Sequence, residues 1–309
     1  MDAIIEQGAG AAGIRGSDLV RLQVPVPSLS EQQEVVEILR ALDDRIDLLR
    51  QTNATLESIA QALFKSWFID FDPVRAKAEG REPEGMDAET AALFPSEFEE
   101  SALGTIPKGW RASTLGELSA LNAASWTARC APSEVVYIDL TGVKGNIFET
   151  PSRYSFDKAP SRARRQLRDG DTLVGTVRPG NRSFGFIVEP EPGLTGSTGF
   201  AVLSPNRLSA TAFVYLCATR RENIDRLAGL ADGGAYPAVR PELVHITPCT
   251  VPPEAVLEAF HSRANPMLLC VAGNAKRAQI LRELRDALLP CLISGKLRLP
   301  EPEEAVATS

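Results

Sequence analysis

The segment Ser30–Trp67 reads SEQQEVVEILRALDDRIDLLRQTNATLESIAQALFKSW and carries a strong helical signal. Its apolar positions are separated alternately by three and four residues, which is the spacing of a coiled-coil seam. Ser30 and Gln33 match the capping-box pattern of a helix start, and Pro73 disfavours helix in the residue before it. The single polar seam position, Asn53, is of the kind that fixes register at some cost in stability. The predicted seam consists of Leu39, Leu42, Ile46, Leu49, Asn53, Leu56, Ala60, Leu63 and Trp67.

A second amphipathic segment begins near Pro253 and shows the same period. Its predicted seam is Leu257, Phe260, Ala264, Met267, Val271, Asn274, Ala278, Leu281, Leu288 and Leu292. Arg285 breaks this pattern, and we expect Pro266 and Pro290 to kink or interrupt the helix.

The two segments resemble a diverged internal repeat. Asn53-Ala54 in the first matches Asn274-Ala275 in the second, and a proline-rich turn precedes both helices. The alternative is a pair of unrelated amphipathic helices, but the shared turn and seam asparagine favour a repeat.

The chain between the two helices divides into two regions of different composition. Residues 72–110 contain several prolines and glycines and are predicted to be a linker with one partly ordered stretch. Residues 111–253 are predicted to be α+β, with short strands at 135–138, 171–174, 184–188 and 199–203. Helices are predicted over 211–217 and 222–230.

Charge is unevenly distributed over these regions. The whole chain carries −7, but residues 111–253 hold 16 Lys and Arg against 13 Asp and Glu, a local +3, and the remainder carries −10. Basic groups on one face neutralise phosphates, whereas Arg and Asn also read base edges. The alternative for such a run is a solvated charged loop. The predicted phosphate contacts are Arg153, Lys158, Arg162, Arg164, Arg165 and Arg168.

A second polar cluster is predicted to read base edges. Tyr236, within it, is equally compatible with a core aromatic residue. The predicted base-reading residues are Thr176, Arg178, Asn181, Arg182, Ser183, Gly234, Tyr236 and Arg240.

Several catalytic and metal signatures are absent from the sequence. No P-loop is present, since the only Gly-Lys pair is followed by Leu297. No lysine follows an acidic residue at the spacing of restriction-type nucleases, and the segment Phe71–Val74 lacks the second proline of an amino-methyltransferase loop. Five cysteines without close spacing and two isolated histidines predict reduced thiols, a cytoplasmic protein and no zinc site. We expect neither a signal peptide nor a membrane span.

Four motifs, taken in order, resemble a known family. They are PVPSLSEQ at 25–32, ALFKSWFIDFDPV at 62–74, LGTIPKGW at 103–110 and LRDALLPCLISGKL at 284–297. They are similar to the helix-entry turn, the central helix end, the recognition-domain entry and the C-terminal signature of type I restriction–modification specificity (S) subunits.

This resemblance implies a non-catalytic DNA-recognition subunit. The implied fold is α+β, with one mixed α/β target-recognition domain at 111–253 and two long helices, 28–71 and 254–297, packed as an antiparallel coiled coil. The implied partners are double-stranded DNA, methyltransferase (M) subunits and motor-nuclease (R) subunits. S-adenosylmethionine, ATP and Mg are expected on those partners, with no cofactor on this chain.

The chain departs from the family pattern in having one complete recognition domain. Residues 1–27 resemble only the tail of a first one, and 298–309 are expected to be a flexible tail. A homodimer, or a separate chain, is then expected to supply the other domain. The alternatives are a coiled-coil interaction protein that does not bind DNA and a decayed, truncated S subunit.

Overall fold

Two 40-residue helices, α1 (Leu29–Phe68) and α7 (Glu254–Ile293), dominate the structure, a computed structural model that describes residues 6–8, 11–13, 20, 26–294 and 297. The shorter helices are α2 (Asp72–Ala78), α3 (Ala88–Ala92), α4 (Thr211–Thr219), α5 (Arg221–Leu230) and α6 (Pro241–His245). The strands, in chain order, are β1 (Glu6–Gly8), β2 (Ala11–Gly13), β3 (Phe98–Ser101), β4 (Gly104–Pro107), β5 (Arg111–Thr114), β6 (Ser119–Leu121), β7 (Glu134–Ile138), β8 (Val143–Lys144), β9 (Ile147–Phe148), β10 (Ser152–Ser155), β11 (Ala163–Gln166), β12 (Thr172–Gly175), β13 (Phe184–Phe186), β14 (Leu194–Ser197), β15 (Phe200–Pro205) and β16 (Pro248–Val251).

The chain divides into two compact units. One comprises Met1–Leu49 and Arg277–Ser309, and the other is Arg50–Lys276. These limits differ from the predicted domain boundaries, because each long helix contributes residues to both units. β1 and β2 form a short antiparallel pair, and the rest of the predicted tail before residue 26 lies almost entirely outside the described residues, as does 298–309.

The larger unit is built on two four-stranded sheets. One has the order β10-β7-β14-β11, in which β14 pairs with β7 in parallel, and the other has the order β13-β12-β15-β6. The strands and helices predicted over 111–253 are observed, as β7, β12, β13, β15, α4 and α5. Helix α4 is buried along its whole length, because it carries apolar side chains on every face. The fold is therefore α+β, as the sequence predicts.

An aromatic cluster joins three helices of this unit. Phe68, near the end of α1, packs edge-to-face on Phe213 of α4 at 4.9 Å between ring centroids and on Phe260 of α7 at 4.8 Å. Phe64 contacts the same two rings at 5.2 and 6.0 Å. Tilted and edge-to-face pairs are favourable beyond the apolar area they bury.

Residues 72–110, predicted as a linker, are instead packed against this cluster. They form α2, α3 and the β3–β4 hairpin. Phe94 and Trp110 are 2% and 3% exposed, and both contact rings of α1. Phe71, with φ 57°, reverses the chain between α1 and α2. The prolines of this segment therefore separate short elements, while its aromatic residues supply enough burial to hold them in place.

The long helices run antiparallel in each unit. In the larger unit Asn53 lies beside Asn274 and Phe64 beside Phe260. In the smaller unit Asp43 forms a salt bridge with Arg285 at 2.7 Å, while Ile46 packs with Ala278. Every predicted seam residue of both helices is buried or half-buried.

Helix α7 continues through Pro266, Arg285 and Pro290. Arg285 turns to Asp43, and the structure assigns one helix across Pro266 and Pro290, contrary to the expected interruption. Burial of Ala264, Leu268 and Val271 on both sides of Pro266 compensates for the hydrogen bond that a proline removes.

Two asparagines form the polar centre of the seam. Asn53 Nδ2 donates to Val271 O at 2.9 Å, and Asn274 Nδ2 donates to Asn53 Oδ1 at 3.0 Å. Asn274 is 5% exposed. The pair is thus satisfied only in this register.

Replacing Asn274 alone by Leu removes the donor to Asn53 Oδ1. We expect the free energy of unfolding to fall by about 1–3 kcal/mol, because a half-buried acceptor is left without its partner. The double variant Asn53→Leu/Asn274→Leu is expected to recover most of that stability, since both polar groups are then gone. Urea denaturation followed by circular dichroism measures both, and a double variant less stable than Asn274→Leu would contradict the pairing.

Phe68→Ala is expected to lower the free energy of unfolding by about 3–5 kcal/mol, because it empties the centre of the aromatic cluster. Ile59→Ala, on the same helix at a position 46% exposed, is the matched control and is expected to change stability by about 0.5 kcal/mol or less. Equal urea midpoints for the two variants would show that the cluster does not hold the unit together.

Candidate nucleic-acid interface

The connection between β12 and β13 is a strained turn rich in arginine. Pro179–Asn181 form one 3-10 turn, flanked by Arg178 with φ 47° and Arg182 with φ 59°. Two non-glycine residues in the left-handed region are costly, and such strain concentrates at functional sites. Backbone hydrogen bonds hold the turn, from Gly175 N to Ser183 O at 2.6 Å and from Arg178 N to Pro237 O at 2.7 Å.

Arg178 lies over Tyr236. Its guanidinium carbon is 4.7 Å from the ring centroid, and its Nη2 donates to Ala235 O at 2.7 Å. Tyr236 is 72% exposed, so the alternative that it is a core aromatic residue is wrong. A guanidinium stacked on an exposed ring is held in one orientation and still has free N–H donors.

These side chains surround an open groove of about 1120 Å³, here called the reading groove. It brings together residues from five connections of the larger unit. The predicted residues that line it are Arg162, Thr176, Arg178, Asn181, Arg182, Ser183 and Tyr236. Side chains for which the sequence predicts no role also line it, namely Asp139, Leu140, Thr141, Val143, Lys144, Val177 and Thr198.

Thr176 has a structural part in this groove. It is 5% exposed, and its hydroxyl donates to Gly199 O at 2.8 Å. Its carbonyl accepts from Val239 N. The hydroxyl proton is therefore already used, and Thr176 anchors the groove wall.

The six predicted phosphate contacts differ in their relation to the reading groove. Only Arg162 among the six lines the groove. Arg153 forms salt bridges with Glu134 at 3.1 Å and Glu191 at 2.5 Å, so its charge is compensated within the fold. Lys158 and Arg168 are exposed outside the groove lining.

The neighbouring pair on β11 is half-buried. Arg164 donates to Ala163 O and stacks on Phe156 at 4.8 Å. Arg165 Nη1 donates to Ser125 Oγ, and burial lowers the pKa of Arg165. Both guanidinium groups therefore hold local structure.

The remaining two predicted readers lie near the groove without lining it. Gly234 is exposed with φ 56°, in the loop that carries Tyr236. Arg240 is exposed immediately before α6.

Most of the unpredicted lining residues come from the segment Asp139–Asn146, DLTGVKGN. Asp139 accepts from the Tyr137 hydroxyl at 3.1 Å and from the Thr141 hydroxyl at 3.3 Å. Lys144 is exposed on the β8–β9 hairpin. The Gly-Val-Lys-Gly pattern marks a turn with a cation at its tip, which is the one sequence signal for this wall.

A carboxylate of α1 is linked through Asn146 to strand β13. Asn146 Nδ2 donates to Glu57 Oε1 at 2.9 Å, and Asn146 Oδ1 accepts from Phe186 N at 2.8 Å. Burial raises the pKa of Glu57, while the hydrogen bond from Asn146 and the charge of Arg182 oppose that rise. Sequence periodicity offers no signal for this contact, since Glu57 lies outside the seam.

Two further findings for the described residues concern membrane spans and metal sites. No described helix is both long and apolar enough to cross a membrane. Within the same residues, no group of three or more His, Cys, Asp and Glu is arranged to hold a metal ion.

The protein family and the curated proteins that match this chain carry similar descriptions. The family described as type I restriction modification DNA specificity domain matches residues 3–58. The type I restriction enzyme MjaIX specificity subunit of Methanocaldococcus jannaschii is 26% identical over 307 residues, covering 96% of this chain and 66% of its own length. The HindI specificity subunit of Haemophilus influenzae is also 26% identical, over 89% of this chain and 69% of its own length.

Solved structures with the same description are similar to the chain. The HsdS subunit from Thermoanaerobacter tengcongensis has a TM-score of 0.45 and 25% identity, over 62% of this chain and 48% of its own. The S subunit from M. genitalium has a TM-score of 0.48 and 16% identity, over 97% of this chain and 69% of its own.

The chain spans about two thirds of the length of the curated relatives it matches. Those relatives are each described as type I restriction enzyme specificity subunits or putative ones, and the motifs at 25–32 and 62–74 of this sequence agree with that description. By these matches the chain is similar to type I restriction–modification specificity subunits.

Proposed function

We propose that this chain is a sequence-specific DNA-recognition subunit of a type I restriction–modification complex. The observation that carries the proposal is the reading groove, in which Arg178, Arg182 and Asn181 project from one strained turn beside the exposed ring of Tyr236. Arginine can bond both acceptors of guanine in the major groove, and asparagine can bond adenine in the same way.

The groove also has the charge distribution that DNA requires. Arg162, Arg178, Arg182 and Lys144 line it against a single carboxylate, Asp139. Asp139 is held by two hydroxyls, and a carboxylate so placed accepts from cytosine N4 but repels phosphate. A carboxylate among four cations favours contact with DNA base edges over contact with the DNA phosphate backbone alone.

In this proposal the partner subunits carry out the catalytic reactions. The chain is proposed to act without catalysis of its own, in the cytoplasm, as the scaffold for methyltransferase and motor-nuclease subunits. S-adenosylmethionine, ATP and Mg would be bound by those partners. The two long helices, with their exposed polar faces, are the surfaces proposed for docking.

Selection from random-sequence duplexes tests DNA recognition directly. The full chain, alone and mixed with its methyltransferase subunit, is expected to enrich a defined sequence. A coiled-coil protein that does not bind DNA would enrich none in either case, and that result would overturn the proposal.

Arg178→Ala and Arg182→Ala are each expected to flatten the preference at one base position, by about 1–3 kcal/mol for each bidentate pair of hydrogen bonds that the substitution removes. Arg153→Ala is the matched control, since its charge is compensated by Glu134 and Glu191 outside the groove. The measurement is the enriched sequence of each variant. An unaltered preference in both groove variants would mean that the turn is not the reader.

Lys144→Ala is expected to weaken binding to all duplexes about equally and to reduce the slope of log affinity against log salt by about 1. The physical reason is that a lysine at a groove rim contacts phosphate as a point charge. Fluorescence anisotropy over a salt series measures the slope. A change in sequence preference without a change in slope would assign Lys144 to base reading instead.

A further inference from the structure

Arg182 belongs to two cavities at once. Besides the reading groove, it lines a second cavity of about 650 Å³ whose other walls come from α1, α4, the start of α5 and Phe184 of β13. Its guanidinium carbon lies 5.4 Å from the centroid of the Phe184 ring. The same cation is thus accessible to DNA on one side and to groups of the second cavity on the other.

Glu57 lines the second cavity and is fixed relative to the turn. Its carboxylate accepts from Asn146 Nδ2 at 2.9 Å. The backbone N–H of Asn146 donates to Phe184 O, and that of Gly145 donates to Arg182 O at 2.9 Å. Asn146 and Gly145 therefore connect a carboxylate on the long helix α1 to the backbone of the turn that carries Arg182.

Burial and the charge of Arg182 have opposite effects on the pKa of Glu57. Burial raises the pKa of Glu57, and Arg182 is the cation whose charge lowers it. The other charged groups lining the cavity are Lys65 on α1 and Arg220, Arg221 and Glu222 at the start of α5, and the Tyr215 hydroxyl is an uncharged neighbour. Partial burial makes the attraction between Glu57 and Arg182 stronger than it would be between groups in water.

We propose that Glu57 is a positioning residue for base reading: its carboxylate, held by Asn146, draws the Arg182 guanidinium away from phosphates, so that Arg182 engages DNA only where a base edge offers two acceptors. This inference rests on the proposed function. Specificity is a difference between affinities, and a restraint that penalises the wrong contact raises it as effectively as a gain in the right one. Phosphate attraction is not directional, whereas a bidentate contact to guanine is.

The test compares Glu57→Gln with Glu222→Gln in the full chain, in the assembly that binds DNA. The Glu57→Gln substitution retains an oxygen to accept from Asn146 and removes only the charge, whereas Glu222→Gln removes a carboxylate from the same cavity without a bond to Asn146. Anisotropy at fixed salt measures affinity for a random-sequence duplex and for the selected duplex. Glu57→Gln is expected to raise random-duplex affinity about three- to tenfold, with a smaller change for the selected duplex.

Arg182→Gln supplies a second, independent measurement. In that background Glu57→Gln is expected to have no effect, because the cation on which it acts is gone. Arg182→Gln alone is expected to lower random-duplex affinity less than Lys144→Ala does, since Glu57 already keeps Arg182 from phosphates. Melting temperatures of all variants establish that each is folded.

The outcomes separate this inference from the proposed function. Equal effects of Glu57→Gln and Glu222→Gln, or an effect that persists with Arg182→Gln, would overturn the role of Glu57 while leaving DNA recognition intact. A larger drop in random-duplex binding in Arg182→Gln than in Lys144→Ala would also overturn it. No selected sequence for the unaltered chain would overturn both.

Discussion

Packing of Phe64 and Phe68 against Phe213 and Phe260 is the contact on which the larger unit depends. The four rings come from α1, α4 and α7, elements far apart in the sequence, and each ring is almost completely buried. Because α4 is enclosed on every side, it packs against β12 and β15 of one sheet as well as against α1. Phe186 of β13 packs on Tyr215 of α4 at 5.2 Å, which carries the same core to the strand beside the reading turn. The position of the groove is therefore a consequence of aromatic packing deeper in the unit.

The fold was largely predictable because its strongest signals are periodic. The alternation of three and four residues in α1 and α7 identifies the buried side of each helix without knowledge of its partner. Periodicity does not show how the two helices pair. Asn53 and Asn274 can each be identified as polar seam positions, but their hydrogen bond exists only in the antiparallel register. The sequence predicts a linker at 72–110 because of its prolines, but the segment packs through Phe94 and Trp110, which are buried, and Phe98, which is partly buried.

The site was predictable in residue type and less so in arrangement. Arg178 and Arg182 were identified by their position in a turn, and the turn brings both to one groove. Arg153 carried the same chemical signal, but Glu134 and Glu191, distant along the chain, compensate its charge. Lys144 and Asp139 are not among the predicted contacts because the Gly-Val-Lys-Gly pattern indicates a turn but no binding role. Sequence thus indicates which residues are candidates for contact with nucleic acid, and their partners in the fold show which of those charges are already compensated.

The path of the reading turn is set by main-chain bonds at Gly175, Thr176, Arg178 and Val239, and none of these uses the side chains of Arg178, Asn181 or Arg182. The three side chains can consequently be replaced without removing these main-chain bonds, although replacing Arg178 also removes its bond to Ala235 O. New binding preferences can be sought in the laboratory by varying these three positions together, without redesigning the core. Asn and Gly tolerate the left-handed backbone at 178 and 182 better than most residues, so they are natural starting points for such libraries.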